Sequence, residues 1–150
     1  MLVRECSNLV SSKISPSRVT TANYFSTDNI LPNLGGYQEA SSLPATAITE
    51  VRPNDILLSN IRPYFKKMVF SKVSGGCSTD VICLRVTSKN ILPAFLFYAL
   101  SSDSFFNYYV SNCKGTKMPR GDKTSLLNYS IPDYPLQTQQ HIVGVTSSPQ

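Results

Sequence analysis

The 150-residue chain has one histidine, His141, and no tryptophan. A nucleophile triad needs a base, and the only imidazole falls in the C-terminal stretch, on an expected terminal helix where an exposed or packing role fits better. The nine acidic residues are scattered singly, so the clustered carboxylates of a metal-dependent nuclease are missing. Nothing matches Gly-x-x-x-x-Gly-Lys followed by Ser or Thr, which leaves no loop of that kind for ATP-driven translocation. Leu34-Gly35-Gly36-Tyr37 has no strong strand before it, and Ile131-Pro132-Asp133-Tyr134-Pro135 has the wrong order for a methyltransferase catalytic loop. The four cysteines, Cys6, Cys77, Cys83 and Cys113, form no Cys-x-x-Cys pair. With one histidine beside them they argue against a structural zinc site, and with no activating partner against a cysteine enzyme. No apolar run approaches the ~20 residues of a membrane helix, and Met1 to Cys6 lacks the apolar core of a signal peptide. The expectation is a cytoplasmic protein with reduced thiols, no metal and no cofactor.

A hydrophobic fraction of 41% and a charged fraction of 15% are those of one globular domain with a real core. The formal charge of +5 is modest, and its placement is more informative than its size. Arg62, Lys66, Lys67 and Lys72 form one group, and Lys114, Lys117, Arg120 and Lys123 a second. The first belongs to the stretch from Asn54 to Lys67. Pro53-Asn54-Asp55 is turn chemistry, since proline fixes φ and Asn and Asp bond their own backbone. Ile56-Leu57-Leu58 then suits a short strand buried on both faces. Arg62-Pro63-Tyr64-Phe65-Lys66-Lys67 follows as a cationic, aromatic loop on that support.

Other elements read as follows. Residues 1–22 are polar and weakly patterned, a loosely ordered lead-in with one short strand at most. Asp28 to Leu43, with Pro32, Gly35 and Gly36, is a long loop. Met68-Val69-Phe70 is a strand. Asp80 to Val86 alternates, Ile82, Leu84 and Val86 on one face against Val81, Cys83 and Arg85 on the other. Asn90 to Asn112 is helical, with Pro93 in a first turn and Asp103 either the N-cap of a second helix or the mark of a kink. Its Phe105, Phe106, Tyr109 and Val110 have helical spacing, which favours core packing over base stacking. Ser125 to Asn128 suggests a helical turn, Tyr129 to Ile131 a last strand, and a helix starts near Gln137 or Thr138, stopped by Gly144 and Pro149.

Asp55-Ile56-Leu57-Leu58-Ser59, then Ile61-Arg62-Pro63-Tyr64 and Lys66, resembles the target recognition domain of type I restriction-modification specificity subunits. Three later segments agree in order and spacing: Gly76-Cys77-Ser78-Thr79-Asp80; Tyr129-Ser130-Ile131-Pro132 with Pro135-Leu136; and Gln139-Gln140-His141-Ile142-Val143. The resemblance implies a non-catalytic subunit that reads half of a split duplex sequence and docks on an adenine methyltransferase subunit, with a motor-nuclease subunit joining indirectly. A homodimer is one way for a half-length chain to supply two readers. Thr138 stands where the family often carries an acid, and the helix ends early, so the spacer is expected to be truncated.

The expected fold is α+β: a twisted, mostly antiparallel sheet, with barrel-like closure one option, a few packed helices and a truncated C-terminal helix. Residues 23–136 are assigned to the recognition domain and 137–150 to the start of a spacer helix and tail. The expected function is sequence-specific recognition of double-stranded DNA. Arg62 is a candidate to fork onto a guanine O6/N7 edge, and Tyr64 to contact a base or sugar. Lys66, Lys67 and Lys72 suit phosphates. Ser78 and Thr79 offer hydroxyls, and Lys114, Lys117, Arg120 and Lys123 form the second loop. For Arg62 the alternative is an ion pair with Asp55 or Asp80. Rival functions are a decoy fragment that binds the methyltransferase without DNA, and an unrelated RNA-binding or DNA-binding module.

Overall fold

The computed structural model describes residues 1–146. Eight short strands form two four-stranded sheets. The first has the order β1 (Ser7–Leu9), β8 (Val81–Val86), β5 (Ile56–Ser59), β6 (Met68–Phe70), and all its pairings are antiparallel. The second has the order β2 (Lys13–Ile14), β4 (Ile48–Val51), β7 (Gly75–Cys77), β3 (Tyr24–Phe25), of which β3 and β7 pair in parallel. The described strands do not close into a barrel.

Helices cover the outer face of the first sheet. They are α1 (Val3–Cys6), α2 (Pro93–Leu100), α3 (Asp103–Ser111), α4 (Lys123–Asn128) and α5 (Leu136–Thr146). The resulting layers are helices, first sheet and second sheet. Alternation along the central strands follows from this. Ile56, Leu58, Ile82 and Leu84 pack with Phe95, Phe105, Phe106 and Tyr109 of the helices. Leu57, Val81 and Cys83 face Phe25, Val51 and Cys77 of the second sheet. The apolar run of β5 is therefore buried on both faces, and the aromatic stripe of α3 is core. Removing these side chains from water supplies most of the drive to fold.

Residues 1–22 depart from the expected loose lead-in. Val3 and Cys6 are buried, β1 is an edge strand of the first sheet, and β2 pairs with β4 of the second. Short polar strands carry little apolar pattern of their own, and here pairing and edge burial order them. Tyr129 to Ile131 pairs with the chain start through single bridge bonds instead of a full strand: the Val3 amide donates to the Tyr129 carbonyl at 3.0 Å and the Ile131 amide to the Met1 carbonyl at 2.7 Å.

Pro93 opens α2 as expected, whereas the N-cap of α3 is Ser102, whose hydroxyl accepts the Phe105 amide at 3.1 Å, with Asp103 the first helical residue. Gly144 lies within α5 and does not end it. Pro149 and the tail 147–150 lie outside the described residues. Gln139, buried on α5, holds that helix to the start of α2. Its carbonyl accepts the Leu92 amide at 2.8 Å, and its amide donates to the carbonyls of Asn90 and Tyr134 at 2.9 and 2.8 Å.

Candidate nucleic-acid interface

The turn before β5 is fixed by Asp55. This carboxylate is 1% exposed. It accepts the Arg52 amide at 2.8 Å, and the Arg85 guanidinium grips it with Nε and Nη2 at 2.9 and 2.8 Å. Such a two-pronged, charge-assisted pair is strong and directional. It also holds the Arg85 guanidinium above its ordinary range. Cys83 points its thiol at the same carboxylate, 3.4 Å away. The neighbouring Cys77 thiol and then burial push Cys83 well above the usual thiol range, so it is an inert core group. The Arg62–Asp55 pairing entertained from sequence is replaced by Arg85–Asp55.

Arg62 is instead exposed at the far end of β5. It has φ of 48° and Lys66 has φ of 55°, and between them Pro63–Phe65 forms a 3₁₀ turn. Two bulky L-residues in the left-handed region cost of order 1 kcal/mol each. Backbone bonds to two other segments hold them there. The Arg62 amide donates to the Pro119 carbonyl at 2.8 Å, the Asn33 amide to Phe65 at 2.8 Å, and the Leu34 amide to Lys66 at 2.9 Å. The long loop after β3 is thus a brace for this turn. Tyr64 and Phe65 are both 45% exposed and meet edge to face, ring centroids 4.9 Å apart.

The second basic segment docks on the first. Lys114 and Arg120 pair amide to carbonyl in both directions at 2.8 Å, closing a short hairpin. Arg120 also bridges Ile61, and the Gly121 amide donates to the Asn60 carbonyl at 2.9 Å. The Asn60 amide in turn reaches the Asp80 carbonyl at 2.8 Å. Three loops therefore share one end of the first sheet: Asn60–Lys67, Ser78–Asp80 and Lys114–Gly121.

Not all expected cations are equally available. Arg62, Lys117 and Arg120 are exposed and have no side-chain hydrogen bond or ion pair among the described residues. Lys66 pairs with Asp103 at 3.2 Å, and Lys67 donates to the Thr27 carbonyl at 2.6 Å and lies over the Phe65 ring. Lys114 sits 4.0 Å from Asp122. Ser78 is half-buried and its amide donates to the Phe25 carbonyl at 2.9 Å. Its hydroxyl lies beside the Tyr24 phenol, which burial pushes up. Lys72 is set apart: it follows β6 at the opposite end of the strand, over the Phe70 ring at 4.6 Å. Thr79 and Lys123 line a cleft together with Lys13. Lys13 was not singled out from sequence, where it is one of three scattered cations of the polar lead-in, with Arg4 and Arg18, and carries no local signal. Asp122 caps α4, accepting the Ser125 amide and hydroxyl at 3.2 and 2.7 Å, so Arg120-Gly121-Asp122 has a structural role as a loop end and helix start.

Among the described residues no group of three or more His, Cys, Asp or Glu is placed to hold a metal ion, and no helix is long and apolar enough to cross a membrane. The surface has exposed fork and ammonium donors, a solvent-facing aromatic pair and a rigid sheet beneath. These are the groups that contact phosphates and base edges.

The family profile described as "Type I restriction modification DNA specificity domain" matches residues 11–147. Among solved structures, the HsdS subunit from Thermoanaerobacter tengcongensis superposes with a TM-score of 0.78 at 25% identity, over 99% of this chain and 40% of that one. A structure titled for complex assembly and conformational transition of the type I R-M system gives 0.78 at 24% identity over the same shares, 99% and 40%. The type I restriction-modification S subunit from M. genitalium gives 0.67 at 15% identity, over 98% of this chain and 37% of that one. The chain thus spans about two-fifths of the length of these proteins. No curated protein matches it.

Proposed function

The chain belongs to the type I restriction modification DNA specificity family, and from that membership and its joined basic loops we propose that it reads one half-site of a double-stranded DNA target on behalf of a partner adenine methyltransferase, without catalysis of its own. The observation that carries the reading is the backbone junction of Asn60–Arg62 with Pro119–Gly121. It sets the two densest cationic segments of the sequence side by side on a rigid sheet end. Arg62 and Arg120 are the proposed base readers, Tyr64 a base or sugar contact, and Lys117 and Lys114 phosphate contacts. A motor-nuclease subunit would join through the methyltransferase, and pairing with a second copy would supply the other half-site.

A few phosphate contacts give weak, salt-sensitive binding, on the order of 10⁻⁴ to 10⁻⁶ M in a non-specific mode. Sequence preference should rise when a methyltransferase subunit clamps the duplex. The test is a salt titration by fluorescence anisotropy on duplexes of random and selected sequence, with and without that subunit. Binding that ignores salt, or no binding even with the partner, would overturn the reading. The intramolecular use of Lys66 and Lys67 gives the decoy reading its one foothold, because it withdraws two cations from a ligand. A chain that binds the methyltransferase but never DNA would establish that alternative.

A further inference from the structure

A cleft of about 320 Å³ opens beside the joined loops, between β2, the start of β8 and the start of α4. Its lining carries Lys13, Lys123, Thr79, Thr49 and Ser11 beside apolar residues such as Leu9, Val10 and Val81. No carboxylate of the described residues lines it. Of the nearest acids in sequence, Asp122 caps α4 and Glu50 pairs with Arg52 at 3.3 Å, while Asp80, between Thr79 and Val81, is outside the lining and acts electrostatically on the Tyr24 phenol. Neither lysine has an ion-pair partner among the described residues. Thr49, on the neighbouring strand in register with Lys13, accepts from the Lys13 ammonium at 3.1 Å and so aims it. Two cations and three hydroxyls line one concavity together with apolar side chains, a setting that strengthens their pull on an anion.

The cleft is continuous with the basic loops. Lys123 comes two residues after Gly121, whose amide is bonded to Asn60, and Thr79 precedes Asp80, whose carbonyl accepts the Asn60 amide. One ladder of backbone bonds therefore fixes the cleft to the Arg62–Arg120 junction. We propose that Lys13 and Lys123 jointly hold a single backbone phosphate of the bound duplex, with Thr79 and Ser11 donating to its oxygens. This rests on the DNA-reading function above and adds Lys13, from the second sheet, to its contact surface. A phosphate anchored here would set the register of the duplex against the sheet end without reading sequence.

The test uses the full chain, a fluorescein-labelled random duplex and a selected one. In the double variant Lys13→Gln with Lys123→Gln, the slope of log affinity against log salt should fall by about 0.9, one phosphate's worth, with both duplexes weakened by the same factor. The double Lys→Arg variant should keep the slope. Duplexes bearing single methylphosphonates should reveal one position whose neutralisation weakens the parent protein but not the double Gln variant. An unchanged slope in the double Gln variant, while the parent remains salt-sensitive, overturns the cleft and leaves the loop reading standing. A drop near 1.8 means two separate phosphates and overturns the shared site. No salt-dependent binding by the parent removes the DNA reading itself, and the cleft with it.

Discussion

Gly121 abuts the hydroxyl end of the Tyr109 ring, and a β-carbon at that position would overlap the phenol. Tyr109 is fully buried and its hydroxyl donates to the Asn60 side chain at 3.2 Å, so the ring has nowhere to retreat. One buried tyrosine thereby supports both strands of the loop junction.

Gly121→Ala should destabilise the fold by about 1–3 kcal/mol, the usual range for overpacking a tight site. It should also push the 114–121 hairpin off Asn60. Urea unfolding reads the first effect and duplex affinity the second. Tyr109→Phe in the same background should recover part of the stability, since it removes the oxygen nearest the new methyl group. Burial pushes the Tyr109 phenol above its usual range, so raising the pH toward 10 should not ionise it in the native state; absorbance near the phenolate band checks this.

Asp55→Ala should be the most damaging polar substitution. It leaves Arg85 without its partner and the Arg52 amide without its acceptor. Breaking one side of a buried ion pair typically costs about 3–5 kcal/mol. Chemical denaturation should show that loss, while methyltransferase docking and DNA affinity of the fraction still folded should be little altered.

Arg62→Ala and Arg120→Ala are expected to erase preference at single base positions, each worth about 1–3 kcal/mol against the best sequence. Lys117→Gln should weaken all sequences alike and reduce the salt slope by about 0.9. Lys67→Ala should behave differently from both. Its ammonium is bound to the Thr27 carbonyl, so the loss should appear as looser packing of the long loop, read by faster amide exchange over residues 27–36.

The Asp122 carboxyl is held below the ordinary carboxylate range, first by the Ser125 hydroxyl. Its folded value lies under its unfolded one, so the stability it contributes is present above the unfolded value and fades as pH falls through the folded one. Asp122→Asn keeps a capping oxygen and should remove that acid dependence of α4; helix content by circular dichroism between pH 5 and about 2 distinguishes the two proteins.

Much of this molecule was written locally. The turn at Asp55, the doubly buried β5, the alternation of β8 and the core stripe of α3 all follow from residue type and spacing. Each depends on interactions a few residues apart or on a simple count of apolar faces. The two cationic groups were visible for the same reason. What the sequence could not decide was anything resting on pairing between distant segments. The lead-in looked loose because short polar strands gain order only from partners, here β8 and β4, far along the chain. Arg85 outcompeted Arg62 for Asp55 because the β5–β8 register brings its guanidinium to the carboxylate, a distance with no trace in local order. Likewise Lys66 and Lys67 read as free charge until tertiary packing supplied Asp103 and the Thr27 carbonyl. The junction of Arg62 with Pro119, and the cleft that Lys13 and Lys123 both line, arise from backbone hydrogen bonds and layer stacking, whose partners any sequence leaves unspecified until the chain has closed on itself.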